Sequence, residues 1–261
     1  MEIFIGVMIF VLGLCFGSFV NMLVYRTAVR YKLINNYKLR INNKSRSFCD
    51  YCGKQLNWYE NIPVFSWLVL KGKTKCCHKK LPIAYPIVEL MTGLLLILNF
   101  QFLISNDQLK WLTVLLSSII IVFLVFGAMF DLKYMILPDF STVILITVAF
   151  LGVVFDEKNI IPYLLSALIA SGFLLILNLI TKGKGMGMGD VKLAIFMGLF
   201  LGPQKTIVAF YVAFIVGAIW GLILMALKKA KKKSQIPFGP FLILGIFVAW
   251  WFGEKIIQLI Q

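Results

Sequence analysis

Two aspartates stand at the edges of apolar runs: Asp131 in MFDLKYMILPD and Asp190 at the end of GMGMGD. A carboxylate at the border of a hydrocarbon slab is costly to hold, so it marks a functional group or a partnered one. Two carboxylates brought together can share one proton. One then acts as base on a water while the other, protonated, polarises a carbonyl. The pair therefore points to acid–base chemistry on a peptide near the bilayer surface. No other nucleophile set competes. The single histidine, His78, has no evident serine partner, and Ser18, Ser66, Ser117 and Ser118 lack a recognisable base. A serine triad is not expected on that ground.

Two further acids lie in or beside apolar runs, Glu89 and Asp139. Asp139 follows Pro138, which suits a first helical turn, and a carboxylate there complements the helix dipole. That structural reading stands against a direct catalytic one. Glu89, inside a span, either bonds a neighbouring helix or supports the site. Asp190 follows Gly183, Gly185, Gly187 and Gly189. These glycines leave the backbone free to bend and allow a peptide to approach closely. Read alone, the stretch is equally a flexible loop whose aspartate caps a helix.

A second chemistry is carried by cysteine. Cys49 and Cys52 form C-x-x-C, and Cys76 and Cys77 are adjacent. Thiolates at such spacing favour tetrahedral zinc in a reducing compartment. Vicinal cysteines cannot repeat the C-x-x-C turn, so either Cys76 or His78 completes the shell with Cys77. Free thiols are the alternative. Cys15 lies in an apolar run and reads as a small core residue.

The elements that must position these groups are membrane helices. The chain is 61% hydrophobic with only 14% charged residues, well below the ~25% of soluble domains. Apolar runs long enough to span a bilayer fall at about 2–25, 82–105, 111–131, 139–155, 160–181, 189–203, 206–227 and 237–258. Backbone groups in lipid must be bonded internally, so these runs are helices, and no period-2 alternation marks a barrel. The expected fold is an all-α polytopic membrane protein of about eight transmembrane helices. The first run starts MEIFIG, with no basic n-region, and reads as a retained span rather than a signal peptide.

Charge sets the orientation. Segment 26–81 holds 13 Lys or Arg against Asp50 and Glu60, and Lys228, Lys229, Lys231, Lys232 and Lys233 add a second cluster. All basic residues except Lys110, Lys158, Lys205 and Lys255 fall on one face of the expected spans. The positive-inside rule makes that face cytoplasmic, places both termini outside and puts residues 131 and 190 at the same edge. The net charge of +15 thus serves topology and anionic lipid, and nucleic acid is not an expected partner. The chain divides into a first helix (1–25), a basic cytoplasmic insert with the cysteine cluster (26–81) and a membrane core (82–261). Residues 49–81, with Trp58, Tyr59, Pro63, Phe65 and Trp67, read as compact but too small to fold without a metal staple.

These residues resemble the bacterial type IV prepilin leader peptidases, membrane aspartic proteases with a second N-methyltransferase activity. The likeness rests on GSFVNMLVYR at 17–26, CDYCGKQLNWYENIPVFSWLVLKGK at 49–73, YPIVEL at 85–90, DLKYMILPD at 131–139, GMGMGDVKL at 185–193 and IPFGP at 236–240. The resemblance implies that Asp131 and Asp190 are the catalytic pair, the latter ending the GxGD of Gly187, Met188, Gly189 and Asp190. It implies substrate-binding or supporting places for Gly187, Gly189, Lys192, Asp139, Glu89, Pro237 and Gly239. It implies prepilins or pseudopilins as substrates, cleaved after a glycine at the cytoplasmic face of the inner membrane. The new N-terminus would then be methylated from S-adenosyl-L-methionine, with zinc structural in the insert and no cofactor for proteolysis. The family's second C-x-x-C is broken here, because Thr74 stands where its first cysteine is expected and Cys76 is displaced. A rival from another class is an ion-coupled transporter using Asp131, Asp139 and Glu89 as a relay. The absence of paired repeats and the placement of the acids at one edge weigh against it.

Overall fold

The computed structural model describes residues 2–34, 47–49, 51–105, 110–155, 159–183, 185–227 and 236–260. The basic stretch 35–46 and the lysine cluster 228–233 lie outside the described residues. Among the described residues the chain is helical, with two isolated antiparallel bridges and no strand. It divides into two compact units, Met1–Val114 and Leu115–Gln261.

In the first unit, α1 (Glu2–Arg30) packs on α3 (Ala84–Ser105). Small residues permit the contact. A Cβ at Gly13 would fall 2.6 Å from the Cα of Gly93, and one at Gly17 would fall 2.5 Å from the Cα of Glu89. Gly13 and Gly17 are four apart, the small-xxx-small spacing that lets membrane helices meet backbone to backbone. Between the two helices run a 3₁₀ turn (Trp58–Asn61) and the short helix α2 (Phe65–Val69). Trp58, Tyr59 and Phe65 are exposed. The aromatic residues of the insert therefore do not form the compact centre that their density implied. Cys15 is also exposed rather than packed, because it lies off the face that carries Gly13 and Gly17.

The second unit holds α4 (Trp111–Tyr134), α5 (Asp139–Phe155), α6 (Ile160–Ile180), α7 (Met188–Ala226) and α8 (Gly239–Ile260). Helix α7 is the hub, packed against α5, α6 and α8. Small residues again mark the crossings, Gly198 on Ala167 and Gly245 on Ala209. The shared core is apolar, with Leu124, Leu174, Leu193, Met197, Leu242 and Ile246 buried. The two spans expected at 189–203 and 206–227 are one element, bent at Gly202, whose φ of 73° and ψ of −179° are non-helical. Pro203 follows, and proline both withholds an N–H and disfavours the helical region for the residue before it. The glycine absorbs that conflict, so the bend divides α7 into two arms and the expected eight segments are all present.

Six helices are long and apolar enough to cross a membrane, and α5 is a shorter apolar helix. At 1.5 Å per residue, its 17 residues reach about 26 Å. The outer faces carry Ile161, Leu168, Ile169, Ile180 and Leu222 exposed. Uncovered by apolar partners among the described residues, such faces suit lipid, and the chain is a multi-pass membrane protein.

Candidate active site and thiol cluster

Asp131 sits in the last turn of α4, where only 6% of its surface is exposed. The helix ends three residues later at Tyr134, and Met135 beyond it adopts a left-handed φ of 55°. The chain then turns through Leu137 and Pro138 into α5. Asp190 lies in the first turn of α7 and is equally buried. Each carboxylate is held the same way. The N–H of Gly187 donates to Oδ2 of Asp190 at 3.0 Å, and the N–H of Gly239 donates to Oδ2 of Asp131 at 3.0 Å. Both donors come from helix N-termini, those of α7 and α8, where backbone N–H groups lack intrahelical partners and favour negative charge.

The two aspartates are near enough to interact electrostatically. Leu137 lies between their supports. A Cβ at Gly189 would fall 2.8 Å from the Cβ of Leu137, and one at Gly239 would come within 3.4 Å of its Cδ1. A Cβ at Gly239 would also lie 2.6 Å from Oδ2 of Asp131. The glycines at 189 and 239 are thus required by close packing. At Gly187 the φ of −79° is open to any residue. The glycine run is also tied down, since Asn178 donates from Nδ2 to the carbonyl of Met186 at 2.6 Å. The two readings of Asp190 are compatible: it accepts the N–H of Gly187 at the N-terminus of α7 and lies near enough to Asp131 to feel its charge.

The remaining residues divide. Lys192 donates to Oδ1 of Asp139 at 2.6 Å, and both side chains are substantially exposed. That bridge ties the start of α5 to α7 beside Asp190. Asp139 opens α5 as the dipole argument requires, and its carboxylate is engaged by Lys192 at the exposed surface. Pro237 precedes the α8 N-terminus and leads through Phe238, which packs on Phe214 at a ring separation of 5.1 Å. Glu89 belongs to the first unit. Its Oε2 accepts the N–H of Val64 at 2.7 Å, and Ser18 and Asn21 also bond its carboxylate. Sequence reasoning had no place for Leu137, Asn178, Ser18 or Asn21. The one legible signal was the Gly13-x-x-x-Gly17 spacing, which fixes the helix face that meets Glu89.

The four thiols of the insert come together. The sulfurs of Cys49, Cys52, Cys76 and Cys77 all lie within 4.8 Å of one another. Cys49–Cys77 is 3.8 Å and Cys52–Cys76 is 3.2 Å. Sulfurs at 2.3 Å from a tetrahedral zinc would lie about 3.8 Å apart, so the cluster could hold such an ion with small adjustment. His78 is exposed and outside the cluster. Two matching turns build the site. In the first, Cys49 accepts the N–H of Gly53 through its carbonyl at 2.9 Å and donates its own N–H to Lys54 at 2.8 Å. In the second, Thr74 accepts from His78 at 3.0 Å and donates to Lys79 at 2.8 Å. The bridges Phe48–Gln55 and Lys73–Lys80 close them. Residue for residue, Thr74 stands for Cys49, Cys77 for Cys52, and His78 for Gly53, with the last two left-handed at φ 54° and 72°. Cys76, inside the second turn at the place that Tyr51 takes in the first, supplies the missing sulfur. The hydroxyl of Thr74 lies 3.1 Å from the sulfur of Cys77, and this bond draws the Cys77 thiol down to about 7. The thiol of Cys76 is pushed up to about 12, chiefly by its hydrogen bond with Cys52.

Comparison with known proteins covers most of the chain. The bacterial peptidase A24 N-terminal domain matches residues 11–102, and the type IV leader peptidase family matches residues 118–222. The chain is 30% identical to a prepilin leader peptidase/N-methyltransferase of Aeromonas salmonicida, over 95% of this chain and 91% of that protein. It is 30% identical to one of Bacillus subtilis, over 96% and 95% respectively. It is 29% identical to one of Stutzerimonas stutzeri, over 94% and 90%. No solved structure matches.

Proposed function

The chain belongs to the type IV leader peptidase family, and from that premise we propose that it removes the short basic leader from prepilins or pseudopilins and then N-methylates the new N-terminus. Asp131 and Asp190 are the proteolytic pair. They share one proton, so that one carboxylate takes a proton from the attacking water while the other donates a hydrogen bond to the scissile carbonyl. On collapse of the tetrahedral adduct, the proton gained from water passes to the leaving amine. One oxygen of each carboxylate is fixed by a glycine N–H at 3.0 Å. That restraint orients both acids before substrate arrives, which is what preorganised catalysis requires. Paired burial of two acids, each held by a helix N-terminus, is the observation that carries this reading.

The positive-inside argument puts the cut at the cytoplasmic face of the inner membrane, after a glycine, with the apolar helix of the substrate in the bilayer. Cys49, Cys52, Cys76 and Cys77 hold a structural zinc that fastens the insert. S-adenosyl-L-methionine supplies the methyl group. The unit containing α1, the insert and α3 serves methylation, and α4–α8 serve proteolysis. The transporter alternative gains nothing, since Asp139 is engaged by Lys192 at the surface.

The test is mass spectrometry of a pilin-like substrate after incubation with purified protein and S-adenosylmethionine. Asp131→Asn and Asp190→Asn should each lower cleavage by about 10²–10⁴-fold with unchanged thermal unfolding. A variant that still cuts at a near-normal rate removes its residue from the pair.

A further inference from the structure

The first unit encloses a cavity of about 460 Å³ between the cytoplasmic end of α1, the start of α3 and the insert. That volume lies within the ~300–1,000 Å³ of small-ligand sites. Its walls carry several aromatic rings, Tyr25, Phe48, Tyr51 and Trp67 among them, together with the cationic side chains of Arg26 and Lys75. Tyr25 meets Phe48 edge to face at 6.4 Å, and the Nε1–H of Trp67 is buried without a partner. Two carboxylates border this space: Glu60, half-buried and already accepting the N–H of Asn57 at 2.7 Å, and the buried one, Glu89, whose surface is 7% exposed. Its bonds come from the N–H of Val64, from Ser18 and from Asn21. All three are neutral. A buried carboxylate held only by neutral donors keeps an unbalanced charge that an entering cation would complete. Aromatic faces favour the same kind of guest.

We propose that this cavity is the chamber of methyl transfer, taking a sulfonium methyl donor beside the N-terminal amine of the cleaved peptide, with Glu89 receiving that amine. The inference rests on the methylation reading above and assigns its residues. The reaction brings together two cationic groups, a sulfonium and an α-ammonium whose ordinary pKa is about 8. The site accordingly needs a carboxylate and aromatic walls, and the two basic side chains on its border are already engaged, Lys75 by the hydroxyl of Tyr59 at 2.9 Å and Arg26 by a partner of its own. Glu89 accepts a proton from the ammonium. The freed lone pair forms the N–CH₃ bond while the S–CH₃ bond breaks, and that bonding pair stays on sulfur as a neutral thioether. The product amine carries the positive charge, and Glu89 returns its proton to water. Ser18 and Asn21 hold the carboxylate toward the cavity throughout.

The full chain in detergent is to be irradiated with radiolabelled S-adenosylmethionine, and the labelled peptides mapped. Label is expected on peptides bearing Tyr25, Phe48, Tyr51 or Trp67, and excess S-adenosylhomocysteine should abolish it. Glu89→Gln should leave leader removal within about twofold of wild type while lowering methylation by about 10²-fold or more. Ser66→Trp, which fills the cavity from α2, should remove both label and methylation and spare cleavage. Retained cleavage certifies the fold of each variant. Label confined to α4–α8, or normal methylation in both variants, would overturn the assignment while leaving the methyltransferase reading intact. A wild-type enzyme that cuts but neither binds label nor methylates would remove that reading itself, and the chamber with it.

Discussion

At Gly239 the backbone N–H reaches Oδ2 of Asp131, and the missing Cβ is what lets it come so near: the added carbon would stand 2.6 Å from that oxygen. Gly239→Ala should therefore push the carboxylate aside. A displacement of about 1 Å can cost ~10²-fold in rate, so cleavage should fall by about that factor while zinc content and methylation of a pre-cut peptide stay normal. Full activity in Gly239→Ala would mean that Asp131 needs no such support. The Asp139–Lys192 bridge gives the opposite expectation. Both side chains are well exposed, and exposed pairs are worth only ~0–1 kcal/mol. Asp139→Asn should lower cleavage by less than about tenfold and shift unfolding slightly. A loss as large as that of Asp131→Asn would make Asp139 a member of the catalytic set. The chemistry-bearing residues were readable because burying acid in lipid is expensive and rare. Their supports were not, because Leu137 and Asn178 carry no signal beyond being apolar or polar.

The membrane helices were legible for the same physical reason that limits them: lipid admits no unbonded backbone, so an apolar run has one structure open to it. Only the junction at Gly202–Pro203 read differently, as a break where α7 merely bends. The insert was less legible. Its aromatics suggested a core, yet Trp58 is 79% exposed, because the stretch is organised by its two matched turns rather than by burial. Thr74 occupies the place of a first ligand in the second turn, and Cys76, two residues on in the same turn, substitutes for it. Cys76→Ser should therefore lose most bound zinc, and Thr74→Cys added to that variant should restore it by completing a regular C-x-x-C. Metal analysis of the three purified proteins decides the matter. Zinc unchanged in Cys76→Ser would show that the displaced cysteine is no ligand. Because protons compete with metal for thiolates, zinc should also be released progressively as pH falls. With the Cys76 thiol pushed up to about 12, zinc uptake should release protons even at alkaline pH.

Each of the two units holds its own set of ionisable residues. Asp131 and Asp190 belong to α4–α8, whereas Glu89 and the four clustered cysteines belong to α1–α3. Such a division predicts two separable reactions with a fixed order. The amine to be methylated does not exist until the leader is gone, so any block at the aspartates must also block methylation of an uncut substrate. It need not block methylation of a peptide that already begins at the mature residue. Asp131→Asn should therefore leave intact prepilin both uncut and unmethylated, yet methylate a synthetic mature peptide at a rate within about twofold of wild type, additivity being usual for groups that share no partner. Glu89→Gln should give the converse, a cut product with a free amine. If Asp131→Asn failed on the mature peptide while still binding S-adenosylhomocysteine and zinc, the aspartates would be required for both steps. The two-unit division of labour would then have to be replaced by a single shared site.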